Sequence, residues 1–248
     1  MKSSTTYSNQ QGFALLLIGA PKSGKSCLAG QFPRPYFVDI DNNLGSVRRH
    51  LSKLDSTKEF FYDTVTEDAA GKPLDTPFRY EYLTKLVLEA CKSDKIDTIV
   101  IDSLTTLTDL ILSHIMRVNG RTVLQIQDWG TFQQLLLKLV YALRSSGKYI
   151  IFTAHEETQK DEVSGIVMYK LSLPGQLKDK LAAYFSDIWH TEVDQKGSEY
   201  KFIVRTMPTV RIALGNSLSL PPTFEFSWDV LKKALEAGNT PVPVTEVK

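Results

Sequence analysis

The chain of 248 residues is poor in cysteine, having only Cys27 and Cys91. Two thiols this far apart form no metal-binding spacing and no disulfide framework, so free thiols in a reducing, cytoplasmic compartment are expected. It also has almost no net charge: 29 Lys and Arg against 28 Asp and Glu give +1. That excludes nucleic-acid binding driven by global charge, and leaves such contacts to local basic loops. Long hydrophobic runs are missing too. The longest, near Ala14–Ile18, is far below the ~20 apolar residues a membrane span needs, so no membrane partner is expected. No internal repeat is visible.

What is present is ordinary globular material, with 42% hydrophobic and 23% charged residues. That is enough chain for one large core, and a single α/β domain over 12–237 is the expectation. Residues 1–11 are polar and read as a disordered start. Residues 238–248, with Pro241-Val242-Pro243, read as a disordered tail.

Apolar patterning orders the elements. Phe13–Ile18 reads as a strand, followed by a loop and a helix to about Phe32, which Pro33 and Pro35 end. Tyr36–Ile40 is a second strand. Residues 42–79 read as irregular, broken by Gly71, Pro73 and Pro77. Tyr82, Leu83, Leu86, Val87 and Ala90 share one helix face. Asp97–Asp102 is a strand, Leu104 to Ile115 a helix, and Asp128 an N-cap for an amphipathic helix to Leu143. Tyr149–Thr153 is a buried strand ending at His155. Short strands then surround one helix at Leu177–Tyr184, out to about residue 214. Strands alternating with helices imply right-handed crossovers and a mainly parallel sheet, which later strands join antiparallel.

Between the first strand and its helix stands Gly19-Ala20-Pro21-Lys22-Ser23-Gly24-Lys25-Ser26. This is a G-x-x-x-x-G-K-[ST] phosphate loop in the strand–loop–helix context the motif requires. Its backbone N–H groups, running on to Cys27, suit phosphate oxygens at a helix N-terminus. Lys25 would reach the β- and γ-phosphates and the Ser26 hydroxyl would bind Mg²⁺. The ligand class implied is a nucleoside triphosphate, ATP with Mg²⁺.

Such a site needs a carboxylate at the end of a hydrophobic strand on the metal side. Asp102 after Ile99-Val100-Ile101 fits; the alternative is a cap for the next helix, which Asp102 or Ser103 could provide. Hydrolysis needs a group to orient and deprotonate water. Asp41, just past the second strand, is the candidate base, with Asp39 second and turn formation with Asn42 and Asn43 as the alternative. His155 stands where a polar residue can sense the γ-phosphate; a solvated strand-end histidine is the other reading.

The order of these motifs resembles the RecA-like recombinase core: Gly19–Ser26, Phe37–Asp41, Ile99–Leu104 and Ile151–Glu156. It is similar in particular to compact bacteriophage ATPases of the nucleotide-binding or single-strand-annealing kind, through Pro21–Ser26, over roughly residues 12–215. The resemblance implies a RecA-like P-loop NTPase core and an ATPase that binds single-stranded DNA and anneals complementary strands in phage recombination, in the host cytoplasm. Asp41 takes the place of the family's catalytic glutamate, and His155 that of its nucleotide-to-DNA coupling glutamine.

Two loops would then face DNA. One carries Arg117 and Arg121, the other Lys160, Lys170, Lys178 and Lys180 beside Glu156, Glu157, Asp161 and Glu162. Lys201 and Arg205 are the matching basic residues for a neighbouring subunit's site, or else charges guarding an edge strand. Full recombinases dock through a longer N-terminal segment than the eleven residues here. A ring or weak homo-oligomer is therefore expected rather than a filament, with a single-strand-binding protein as a further partner. A helicase loader, a packaging accessory or a nucleotide-regulated interaction module fits the same motifs.

Overall fold

A computed structural model describes residues 13–162, 165–174, 181–196 and 199–239. Its centre is a sheet in the order β3-β2-β4-β5-β1-β7-β8-β9. The strands are β1 (Ala14–Gly19), β2 (Pro35–Asp39), β3 (Phe61–Thr64), β4 (Thr98–Asp102), β5 (Tyr149–Lys160), β7 (Asp187–Lys196), β8 (Glu199–Arg205) and β9 (Thr223–Glu225). A ninth strand, β6 (Val167–Leu171), pairs antiparallel with the outer half of β5. From β3 across to β7 every pairing is parallel; β8 and β9 add antiparallel. The mainly parallel sheet with late antiparallel strands is as the sequence predicts.

Parallel strands need helical crossovers, and these cover both faces. The helices are α1 (Lys25–Ala29), α2 (Gly45–Leu54), α3 (Thr76–Lys92), α4 (Leu104–Val118), α5 (Asp128–Arg144) and α6 (Trp228–Asn239). Strands buried on both faces alternate their side chains between two cores. Leu16, Ile99, Ile101 and Phe152 meet α3, α4 and α5 on one side. Leu15, Leu17, Val100 and Trp189 meet α1, α2 and α6 on the other. No helix among the described residues is long and apolar enough to cross a membrane.

Four local expectations are corrected. α1 stops at Ala29, capped by Gly30, rather than running to Phe32. Residues 42–79 contain α2, β3 and the start of α3, which begins with Pro77 in its first turn. Asp128 lies inside the first turn of α5, not at the cap; its carboxylate instead accepts from the Gln125 amide at 2.8 Å. The helix expected at Leu177–Tyr184 is, in its described part, a 3₁₀ turn over Ala182–Tyr184. The predicted start at residues 1–11 and most of the predicted tail lie outside the described residues, although α6 extends to Asn239.

Candidate functional site

Parallel strands deliver their carboxyl ends to one edge, where open α/β sheets place their sites. Gly19 on β1 is in register with His155 on β5, and Asp39 on β2 with Asp102 on β4. Four motifs far apart in sequence therefore meet along one sheet edge.

The turn after β1 holds Lys22 at φ 68° and Gly24 at φ 93°. Only glycine adopts the second angle cheaply. A side chain at Gly24 would also strike the Phe202 ring of β8, 2.5 Å from the position of its Cβ. Ser23 is buried and its hydroxyl pairs with that of Thr191 on β7 at 2.6 Å, pinning the loop to the next strand. Ala20, Pro21 and Lys22 stay exposed at the loop's tip.

Lys25 is buried and donates to the carbonyls of Gly19 at 2.9 Å and Ala20 at 2.8 Å. Burial lowers its pKa to about 8, against the pull of Asp102, Glu156 and Asp41. An ammonium that donates its hydrogen bonds to neutral carbonyls, in a loop shaped to expose amides, fits an anionic guest.

Asp102 is buried at the end of β4. Burial raises its pKa, while hydrogen bonds from the Ser26 and Thr153 hydroxyls favour the carboxylate. The Thr153 bond measures 2.5 Å. Ser103, next in sequence, is the N-cap of α4, accepting from the Thr106 amide. The cap is thus supplied by Ser103, and Asp102 is left facing Ser26. A hydroxyl and a carboxylate side by side are the oxygen donors Mg²⁺ takes together with substrate phosphates. The donor set fits a nucleotide-bound Mg²⁺ at Ser26 and Asp102.

Asp41 is exposed and accepts from the Thr106 hydroxyl at 2.5 Å. Its charge acts on Lys25, Asp102 and His155, which places it at the same edge. Asp39, by contrast, is buried; burial lifts its pKa to about 6, and the Asn43 amide binds its carboxylate at 3.2 Å. The turn role weighed in the sequence therefore belongs to Asp39. His155 is half-buried, with its backbone amide bound to Thr105 Oγ1 at 3.1 Å. Its Nδ1 is buried without a hydrogen-bond partner. Burial first, and then Lys25, depress its pKa, so the ring is neutral at pH 7. A neutral ring with an unused nitrogen can take a partner that arrives with the nucleotide.

A network on β5, β7 and β8 was not visible in the sequence. His190 on β7 lies beside Ile18 of β1. It bonds Glu156 at 2.7 Å and Glu192 at 3.1 Å, and Arg205 bonds Glu192 at 2.8 Å. Burial opposes the charged imidazole, but the two glutamates outweigh it and raise its pKa. Its members come from three strands, so no spacing announces it. With Ala20, Pro21 and Tyr169 they line a cleft of about 670 Å³.

Arg205 is engaged by Glu192, and Lys201 by Glu225 at 2.7 Å, both in its own chain. Arg117 bonds Glu81 at 2.6 Å and stacks over Phe78; Arg121 bonds the buried Asp128 at 2.7 Å. Lys160 and Lys170 lie on the β5–β6 hairpin. Lys178 and Lys180 lie outside the described residues. Cys27 is buried in α1, where burial raises its thiol to about 11; its Sγ lies 3.8 Å from the Ser46 carbonyl.

No curated protein matches the chain. Among solved structures, a KaiC-like protein from the hyperthermophilic archaeon Pyrococcus horikoshii OT3 is similar at 19% identity over 79% of each chain, with a TM-score of 0.45. The AAA domain family model matches residues 11–214, which contain the phosphate loop, Asp102 and the whole parallel sheet. With most of its length matched and the phosphate-loop edge built as described, the chain belongs to the AAA domain family of P-loop ATPases.

Proposed function

We propose that this ATPase acts on single-stranded DNA and promotes annealing of complementary strands, as in phage recombination. One observation carries the reading. β5 runs without a break from Thr153, which holds Asp102, through His155 to the hairpin bearing Lys160 and Lys170. A change at the nucleotide can thereby move cations that meet a phosphate backbone.

The residues divide the work. The loop amides and Lys25 bind and orient the triphosphate, and Ser26 and Asp102 would hold Mg²⁺, which would supply charge neutralisation at the phosphates. Asp41 orients and deprotonates the attacking water. His155 offers Nδ1 to the γ-phosphate side and transmits its presence to the hairpin. Self-association belongs to the same proposal: Lys201 and Arg205 would serve a neighbouring subunit after leaving Glu225 and Glu192.

The test is ATP hydrolysis with and without single-stranded DNA across a salt series, beside annealing of complementary oligonucleotides. DNA should raise turnover at low salt, and the stimulation should fade as salt rises. Turnover indifferent to DNA at every salt concentration, with no annealing, overturns it.

A second reading has its own observation. The loop between α4 and α5, one of the two DNA candidates, has its Arg121 paired with Asp128 and exposes Val123 and Ile126, the latter 93% accessible, while Arg117, expected on that loop, lies in the last turn of α4 and pairs with Glu81. That surface suits a protein partner, such as a single-strand-binding protein or a helicase, better than phosphates.

A further inference from the structure

The first turn of α4 follows directly on the strand that ends in Asp102, and that strand, β4, lies between β2 and β5 in the sheet. A helix that starts there can reach the ends of both neighbours. Its side chains do so. Thr105 Oγ1 accepts the His155 amide of β5 at 3.1 Å. The Thr106 hydroxyl donates to Asp41, just beyond β2, at 2.5 Å. Two consecutive threonines therefore hold the two residues to which the proposed function gives the γ-phosphate sensor and the base.

Asp41 needs such a hold. The backbone ahead of it is fixed, because the Ile40 amide still bonds the Asp102 carbonyl at 2.7 Å. After it the chain turns through Asn42 at φ 51°, and the Asn43 amide goes to Asp39. The Asp41 side chain itself is exposed, and a carboxylate left free on a turn spreads over its rotamers. Among the described residues, Thr106 alone donates to it. The bond takes Oδ1 and leaves Oδ2 for water.

The threonine is itself aimed. Its hydroxyl is not spent on capping α4, since Ser103 Oγ accepts from the Thr106 amide at 3.4 Å. Ser103 is buried, and its Oγ lies 3.2 Å from Thr106 Oγ1. A carboxylate only accepts, so the single Thr106 hydroxyl proton goes to Asp41, and Ser103 is the donor across the 3.2 Å. The result is a directed chain, Ser103 to Thr106 to Asp41, that starts at the residue after Asp102. Each donor in such a chain polarises the next. A general base works only with its oxygen in hydrogen-bond reach of the proton it takes, so its orientation limits the rate.

We propose that Thr106 is the positioning residue of the hydrolytic base: it fixes the Asp41 carboxylate in the orientation that takes the proton of the attacking water. The proposal rests on Asp41 being that base. In it Thr106 touches neither nucleotide nor water, so losing its hydroxyl slows the chemical step and spares binding.

The experiment is single-turnover ATP hydrolysis by the full chain, beside equilibrium ATP binding and the denaturant midpoint. The variants are Thr106→Val, Thr106→Ala, Thr106→Ser, Asp41→Asn, and Thr106→Val combined with Asp41→Asn. Thr106→Val keeps the branched shape and removes the donor. It should lower turnover about tenfold, the scale for one hydrogen bond to a charged group, with ATP affinity as in wild type. Thr106→Ala should match it, and Thr106→Ser, which keeps the hydroxyl, should recover most of the loss. In the Asp41→Asn chain the valine should cost nothing further. Wild-type turnover in Thr106→Val, an equal loss in Thr106→Ser, or a loss that adds in full to that of Asp41→Asn overturns the positioning role. So does a fall in ATP affinity or in the denaturant midpoint large enough to account for the lost turnover. Undiminished turnover in Asp41→Asn has a different meaning: the base reading fails, and Thr106 loses its task with it, whatever Thr106→Val does.

Discussion

Thr153 on β5 donates its hydroxyl to the buried Asp102 on β4 at 2.5 Å, across neighbouring parallel strands. β5 therefore does two things: it separates the phosphate-loop strand from the carboxylate strand, and it aims the carboxylate. Because the bond favours the charged form, it works against the burial that raises the Asp102 pKa.

Thr153→Val keeps the shape and removes that donor. The Asp102 pKa then moves further up, so protons compete better with Mg²⁺ for the same oxygens. The acid limb of the turnover–pH profile should shift to higher pH. The Mg²⁺ needed for half-maximal turnover should rise about tenfold, the scale of one charge-assisted hydrogen bond. Mg²⁺ titrations at pH 6 and pH 8 check this. An unchanged Mg²⁺ requirement at both would separate Thr153 from metal binding.

Lys25 gives a proton-linkage prediction. Its ammonium has a pKa near 8 in the free protein because burial disfavours the charge. Phosphate oxygens restore the charge, so the bound state has the higher pKa. Between the two values, binding must take up protons, and affinity must fall as pH rises through 8. Calorimetry of Mg–ATP binding at pH 8.5, in two buffers of different ionisation enthalpy, should show net proton uptake. Net release would mean that Lys25 does not meet the phosphates.

Asp41 and Asp39 are two residues apart and have different tasks. Asp41 is exposed at the edge; Asp39 is buried and tied to the Asn43 amide. Asp41→Asn should lower turnover at saturating ATP by about a hundredfold or more, the usual scale for a lost general base, and leave ATP affinity close to wild type. Single-turnover hydrolysis beside equilibrium binding separates the two effects. Undiminished turnover removes Asp41 from the chemistry.

How much of this could be read from the sequence depends on where the information lies. The phosphate loop was legible because its function is encoded in contiguous spacing, with an apolar strand before it. Asp102 was legible because Ile99-Val100-Ile101 marks a buried strand whose end must lie at the sheet edge. α2 was not: it buries only Val47 and Leu51, so two anchors carry its whole period and the rest is polar. β3 was missed because it exposes Phe61 and Tyr62 and carries Asp63, which breaks any alternation. The Glu156–His190–Glu192–Arg205 network depends on strand order, which no local pattern contains. Arg117 and Arg121 looked available because their partners, Glu81 and Asp128, are supplied by folding.

Gly24 is the position where backbone and packing make the same demand. Its φ of 93° costs a side-chain-bearing residue about 1–3 kcal/mol. Independently, a Cβ would lie 2.5 Å from the Phe202 ring, too close for both to keep their places. Gly24→Ala should therefore lower the denaturant midpoint and weaken Mg–tripolyphosphate binding at least tenfold, since the loop amides move with the strained residue. Phe202→Ala in the same chain relieves only the collision. The double variant should recover part of the stability and little of the anion affinity, because the backbone angle remains wrong. Full recovery of binding would show that Phe202 alone makes glycine necessary at this position. A single variant that binds tripolyphosphate as wild type does would mean that the loop does not hold its anion in the conformation described.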